Sequence, residues 1–125
     1  IGLQPQMVHA MGGYKVQGRE GHEQMLADAK ALEEAGAFAI VIECTTAETA
    51  QKVSENISIQ TIGIGAGAGC DGQVLVYHDI FGLFDEYTPK FVKKYADLQT
   101  VVGSACKEYI KDVKNKQFPE EKHTF

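Results

Sequence analysis

Hydrophobic and polar positions fall into a repeating order along this chain. From Gly21 to Ala35 the apolar residues Met25, Leu26, Ala29 and Leu32 recur at helical spacing with acidic residues between them, which predicts an amphipathic helix. Gly36 stands where a left-handed C-cap would end it. Phe38 to Ile42 reads FAIVI, a continuous apolar run suited to a strand covered on both faces, and it stops at Glu43. Thr45-Thr46-Ala47-Glu48 predicts a capping box with Thr45 as N-cap, followed by Ala47, Ala50 and Val53 on one stripe of a helix reaching about Glu55. IQTIGIG, from Ile59 to Gly65, is the next predicted strand and runs into the glycine-rich GAGAGCDG; VLVYHD, starting at Val74, is a third strand candidate. Thr88-Pro89 predicts the start of a last helix, with Phe91, Val92, Tyr95, Leu98, Val102, Cys106, Tyr109 and Ile110 on its inner stripe and Gly103 as a point of division. The tail QFPEEKHTF has no periodicity and reads as an irregular end.

Helices alternating with strands imply an α/β fold with a parallel sheet and right-handed crossovers. About three strands are present, against eight in a closed barrel and five or six in an open doubly wound sheet. A three-stranded parallel sheet leaves two apolar edges open, so the chain, taken as one partial domain over residues 1–125, reads as the later part of a larger fold.

Composition narrows the functions. The chain has 125 residues, 44% hydrophobic, enough for one domain with a core. Its formal net charge of −5 argues against a nucleic-acid partner, since phosphate backbones are held through an excess of Lys and Arg. The late basic residues of KFVKKY and EYIKDVKNK have acidic neighbours and read as a solvated helix face. Cys44, Cys70 and Cys106 match no zinc or CxxC spacing and no disulfide framework, which fits a reducing, cytoplasmic setting. No apolar run approaches a membrane span, so no membrane association is expected.

Glu43 is the sharpest candidate, because a residue at the carboxyl end of a buried parallel strand faces the site crevice, and partial burial would raise its pKa toward the range of a general base. A solvated or ion-paired Glu opening a loop is the alternative. Gly67 to Gly72 fits GxGxxG, but an apolar run follows where a phosphate-facing helix is required, and no acidic residue ends a second strand about 20 residues on. The glycines therefore read either as a turn or as a place where backbone approaches a ligand. His78 sits at the end of VLVYHD with no metal-ligand partner in spacing, in a core or supporting role, while His22 and His123 read as surface residues. Lys15 and Arg19, in GGYKVQGRE, could clamp a carboxylate or close a lid, since Gly12, Gly13 and Gly18 make the segment bendable.

Taken together, GLQPQMVHAMGGYKVQGR, LEEAGAFAIVIEC, TIGIGAGAGCDGQVLVYHD, TPKFVKKYADL and FPEEKHTF, in this order and spacing, resemble the ketopantoate hydroxymethyltransferase family. The resemblance implies the C-terminal half of a (β/α)8 TIM barrel of the phosphoenolpyruvate/pyruvate type, with about the last three strands present, in a homodecamer. It also implies transfer of a hydroxymethyl group from 5,10-methylenetetrahydrofolate to 3-methyl-2-oxobutanoate, with Mg2+ chelating the 2-oxo acid and Glu43, in VIEC, as proton acceptor. The metal ligands and the groups that grip the oxo acid would belong to the other half, and none maps onto this chain. The rival expectations are a non-catalytic half-barrel interaction module and another 2-oxo-acid enzyme of the same barrel type.

Overall fold

The structure, a computed structural model, describes residues 1–84 and 86–125 and divides into two units, Ile1–Leu75 and Val76–Phe125. The first unit holds a parallel sheet of β1 (Ala39–Glu43), β2 (Gln60–Ile64) and β3 (Gly72–Gln73), in that order, with α1 (Glu23–Glu34) and α2 (Ala47–Glu55) as its helices. The parallel α/β reading holds at this level.

Helix α1 forms where the periodicity placed it. Met25 and Ala29 are buried, and Leu26 packs against the core. Its end is a Schellman turn: Gly36 takes φ +91°, its N–H donates to Glu33 O at 2.9 Å, and Ala37 N–H donates to Leu32 O at 3.0 Å. In β1 the pleat alternates, so Ile40 and Ile42 join the core while Val41 and Glu43 take the opposite face. The expectation of a strand covered on both faces is therefore corrected. Val41 is 44% exposed, and Phe38 lies outside the strand at 89% exposure, because only one side of this sheet is backed by α1 and α2. Ala29, Ala50 and Ala66 are completely buried, and their small side chains let helices and loop approach the sheet closely.

Three boundaries differ from the sequence reading. The N-cap of α2 is Thr46, whose hydroxyl accepts from Thr49 N–H, and not Thr45. Thr45 extends the strand ladder by one residue, its N–H donating to Gly65 O at 3.1 Å, and so the helix starts later. Glu48 consequently faces Lys52, at 3.1 Å, and closes no capping box. VLVYHD is not a strand either. Pairing with β2 is confined to Gly72–Gln73 and a bond from Val74 N–H to Gly63 O, after which Tyr77–Ile80 closes one turn of helix, α3, on the Val76 carbonyl. A run this short carries no period able to separate strand from helix.

In the second unit α4 spans Leu98–Lys114 and starts nine residues after Pro89. Its cap is Asp97, which accepts from Thr100 N–H at 3.2 Å and from the Thr100 hydroxyl at 2.7 Å. Phe91, Val92 and Tyr95 instead lie in the approach to that cap, where Tyr95, Leu98 and Gln99 donate N–H bonds to the carbonyls of Ile80, Phe81 and Gly82. Gly103 sits inside α4 without dividing it. The tail is better organised than its pattern implied: Phe118 packs edge-on to Tyr109 at 5.5 Å and meets the His123 ring at 5.2 Å, and Glu121–His123 forms a 3-10 turn. Among the described residues no helix is long and apolar enough to cross a membrane.

Candidate active site

The carboxyl ends of β1 and β2 meet in register, Glu43 opposite Ile64 and Val41 opposite Ile62, so the Glu43 side chain lies at the rim of the sheet face that the helices do not cover. Its backbone is fully held. Glu43 N–H donates to Ile1 O at 3.0 Å, and its carbonyl accepts from Leu3 N–H at 2.8 Å and from the Thr45 hydroxyl at 3.1 Å. Residues Ile1 to Leu3 thereby pair in parallel along the outer side of β1, closing the C-terminal half of an edge that the sequence left open. A Cβ on Gly2 would stand 2.2 Å from the Glu43 carbonyl oxygen, which leaves only glycine at that position.

Partial burial raises the Glu43 carboxyl above the ordinary carboxylate range. The next residue, Cys44, is buried and takes φ +48°, a left-handed conformation uncommon for a side chain with a Cβ. The main chain of Gln17 holds this turn from both sides: Gln17 N–H donates to Cys44 O at 2.9 Å, and Thr46 N–H donates to Gln17 O at 3.1 Å. Beside it the Thr49 hydroxyl donates to Gly18 O at 3.2 Å, and a Cβ on Gly18 (φ +75°) would fall 2.6 Å from that hydroxyl oxygen. GGYKVQGR is thus fastened over the turn that follows Glu43. Lys15 and Arg19, both exposed, line a cleft of about 500 Å³ with Tyr14, Val16 and Glu20.

The glycine loop resolves differently. A Cβ on Gly67 would lie 2.5 Å from Ala47 Cβ, and one on Gly69 would lie 2.7 Å from Gln51 Cβ. Ala47 and Gln51 are one helical turn apart on α2, so these glycines let the loop lie flat on that helix. The loop is tied at its far end by Asp71, whose carboxylate accepts from Thr61 N–H at 2.8 Å and from the Thr61 hydroxyl at 2.9 Å, with Ser54 Oγ 2.8 Å from the same hydroxyl. The two bonds from Thr61 hold the Asp71 carboxyl below its ordinary value.

The structure thus fastens the Lys15–Arg19 loop to the Cys44–Thr46 turn that follows Glu43. His78 is exposed on α3 in the second unit, its ring 3.9 Å from that of Tyr77, and the strand-end position expected for it does not exist. His22 is half-buried at the N-terminus of α1, with Nδ1 3.4 Å from Lys52 Nζ, and so is less of a surface residue than its isolation suggested. Gln17, Thr49, Thr61 and Asp71 escaped sequence reasoning because main-chain clamps and buried hydroxyl contacts leave no periodic signature. Among the described residues no three His, Cys, Asp or Glu side chains converge.

Comparison with known proteins adds a family. The sequence model of ketopantoate hydroxymethyltransferase matches residues 1–121. The chain is 58% identical to the 3-methyl-2-oxobutanoate hydroxymethyltransferase of Carboxydothermus hydrogenoformans, 57% identical to that of Geobacter metallireducens and 54% identical to that of Enterococcus faecalis. Each match takes in the whole of this chain and 46%, 48% and 46% of the relative, so the chain spans about half the length of the curated relatives it matches.

Proposed function

The chain belongs to the ketopantoate hydroxymethyltransferase family, and from that premise we propose that it supplies Glu43 as the base in transfer of a hydroxymethyl group from 5,10-methylenetetrahydrofolate to 3-methyl-2-oxobutanoate. The product is 2-dehydropantoate, on the route to pantothenate and coenzyme A. The observation that carries the reading is the position of Glu43, a half-buried carboxylate with a raised pKa at the C-terminal rim of a parallel sheet, on its helix-free face. The ionised carboxylate takes the proton from C3 of the oxo acid, C3 attacks the one-carbon unit, the carbon–nitrogen bond to the folate breaks, and water supplies the hydroxyl oxygen. A raised pKa strengthens the base.

The same reading includes a (β/α)8 barrel of the phosphoenolpyruvate/pyruvate type to which β1, β2 and β3 contribute, a homodecamer, a cytoplasmic setting and Mg2+ as the metal. Since no three metal-ligating side chains converge among the described residues, no step here is routed through a cation. Family membership favours this reading over another 2-oxo-acid enzyme of the same barrel type.

Glu43→Gln in the full-length enzyme tests it. Exchange of the C3 proton of 3-methyl-2-oxobutanoate with solvent should fall by at least about 100-fold, the scale of a lost general base, while oxo-acid binding stays within a few-fold of wild type. Exchange at the wild-type rate would remove Glu43 from the mechanism. The pH profile has a defined sign: activity needs the ionised form, so exchange should be lost as pH falls through a pKa lying above the ordinary carboxylate value.

A further inference from the structure

Two cations in one cleft have no part in proton removal. Lys15 and Arg19 line the same opening of about 500 Å³, and neither forms an ion pair among the described residues. Glu20 is the one acidic residue of that lining, so the cleft carries net positive charge on a chain whose formal net charge is −5. Tyr14 and Val16 add apolar surface, 54% and 37% exposed. The cleft is fixed relative to Glu43, because Gln17, between the two cations in sequence, bonds through its main chain to Cys44 and Thr46. A ligand held there would have an aromatic part to lie on Tyr14 and carboxylates to meet a lysine and an arginine.

We infer that this cleft binds the p-aminobenzoylglutamate arm of the folate co-substrate, with Lys15 and Arg19 on the glutamyl carboxylates and Tyr14 against the benzoyl ring. The inference rests on the folate-dependent transfer proposed above. The arm carries one aromatic ring and two carboxylates on a short link, which is the combination the lining presents. The 2-oxo acid, with a single carboxylate and no ring, is the poorer match.

The test compares 5,10-methylenetetrahydrofolate with 5,10-methylenetetrahydropteroate, which lacks the glutamate, on full-length wild type, Lys15→Gln, Arg19→Gln and Arg19→Lys. Losing a charge-assisted contact should raise the KM for the glutamylated co-substrate about tenfold in each Gln variant. It should leave the KM for the pteroate and the folate-independent C3 proton exchange unchanged, with Arg19→Lys recovering part of the loss. Both side chains are exposed, so the variants should fold as wild type does. An unchanged KM, or an equal rise for both co-substrates, would overturn the assignment. If wild type exchanges no C3 proton and transfers no carbon, the proposed function fails and not this site alone.

Discussion

The two units of this chain are built on different principles. Among the described residues every buried hydrophobic side chain, from Leu3 to Ala66, belongs to the first unit, as do the buried Thr45, Thr49 and Thr61. In the second unit α4 is the longest helix of the chain and has no buried residue: Val101, Val102, Tyr109, Ile110 and Val113 run along it at 43% to 61% exposure. Both units carry amphipathic helices in sequence, and in the first the apolar stripes meet the sheet of the same unit. Periodicity therefore specifies that a helix has a face to cover and leaves open what covers it. In the first unit the neighbours decide stability, whereas in α4 the backbone, its cap and its propensity decide it.

The largest test of that difference exchanges one residue type in both places. Ile42 is completely buried between strand and helices, and Ile42→Ala should cost about 3 kcal/mol through lost burial and the cavity left behind. Ile110 is 50% exposed on α4, and Ile110→Ala in this chain should cost under about 1 kcal/mol, offset in part by alanine's better helix propensity. Urea denaturation of the two variants checks it. Equal losses would mean that the α4 stripe is covered as Ile42 is. In a longer protein that contains this chain, a cost for Ile110→Ala that rises toward the Ile42 value would identify α4 as a face covered by further residues.

A second test acts through glycine in the first unit. Gly67 has φ +76°, and its missing Cβ would lie 2.5 Å from Ala47 Cβ and 3.0 Å from Ala47 Cα, so Gly67→Ala meets both strain and a clash with helix backbone. A loss of about 2 kcal/mol is expected in the same denaturation measurement. A neutral result would mean that the loop does not need to lie on α2, and would revive the alternative that its glycines serve a ligand.

How far the sequence disclosed this follows the same division. Helix α1, its stop at Gly36, strand β1 ending at Glu43 and strand β2 were legible, because each carries a period or an uninterrupted apolar run and each has a partner that makes the pattern matter. The start of α4 and the supposed third strand were misread for one reason: Thr88-Pro89 and VLVYH carry the right residue types, but cap and ladder depend on which amides already have acceptors. Tyr95, Leu98 and Gln99 bond back to Ile80, Phe81 and Gly82, and this chain-reversing contact moves the cap to Asp97. The place of Glu43 at the end of β1 was legible from the apolar run that stops there. The grip of Gln17 on Cys44 and Thr46 was not, since a main-chain clamp can be made by almost any residue type.

The smallest effect is the most direct contrast between the units, because it repeats the glycine substitution with the opposite sign. Gly103 lies inside α4, and a Cβ there meets nothing within 4 Å. Its backbone is ordinary right-handed helix, so alanine requires no change of φ. Gly103→Ala therefore restricts the unfolded chain and adds helix propensity without a steric cost, and should stabilise α4 by about 0.5–1 kcal/mol. Helicity by circular dichroism should rise slightly and the unfolding midpoint should move upward. A destabilisation would mean that another surface lies against Gly103 in solution, and that this face of α4 is governed by contact, as Gly67 is, and not by propensity.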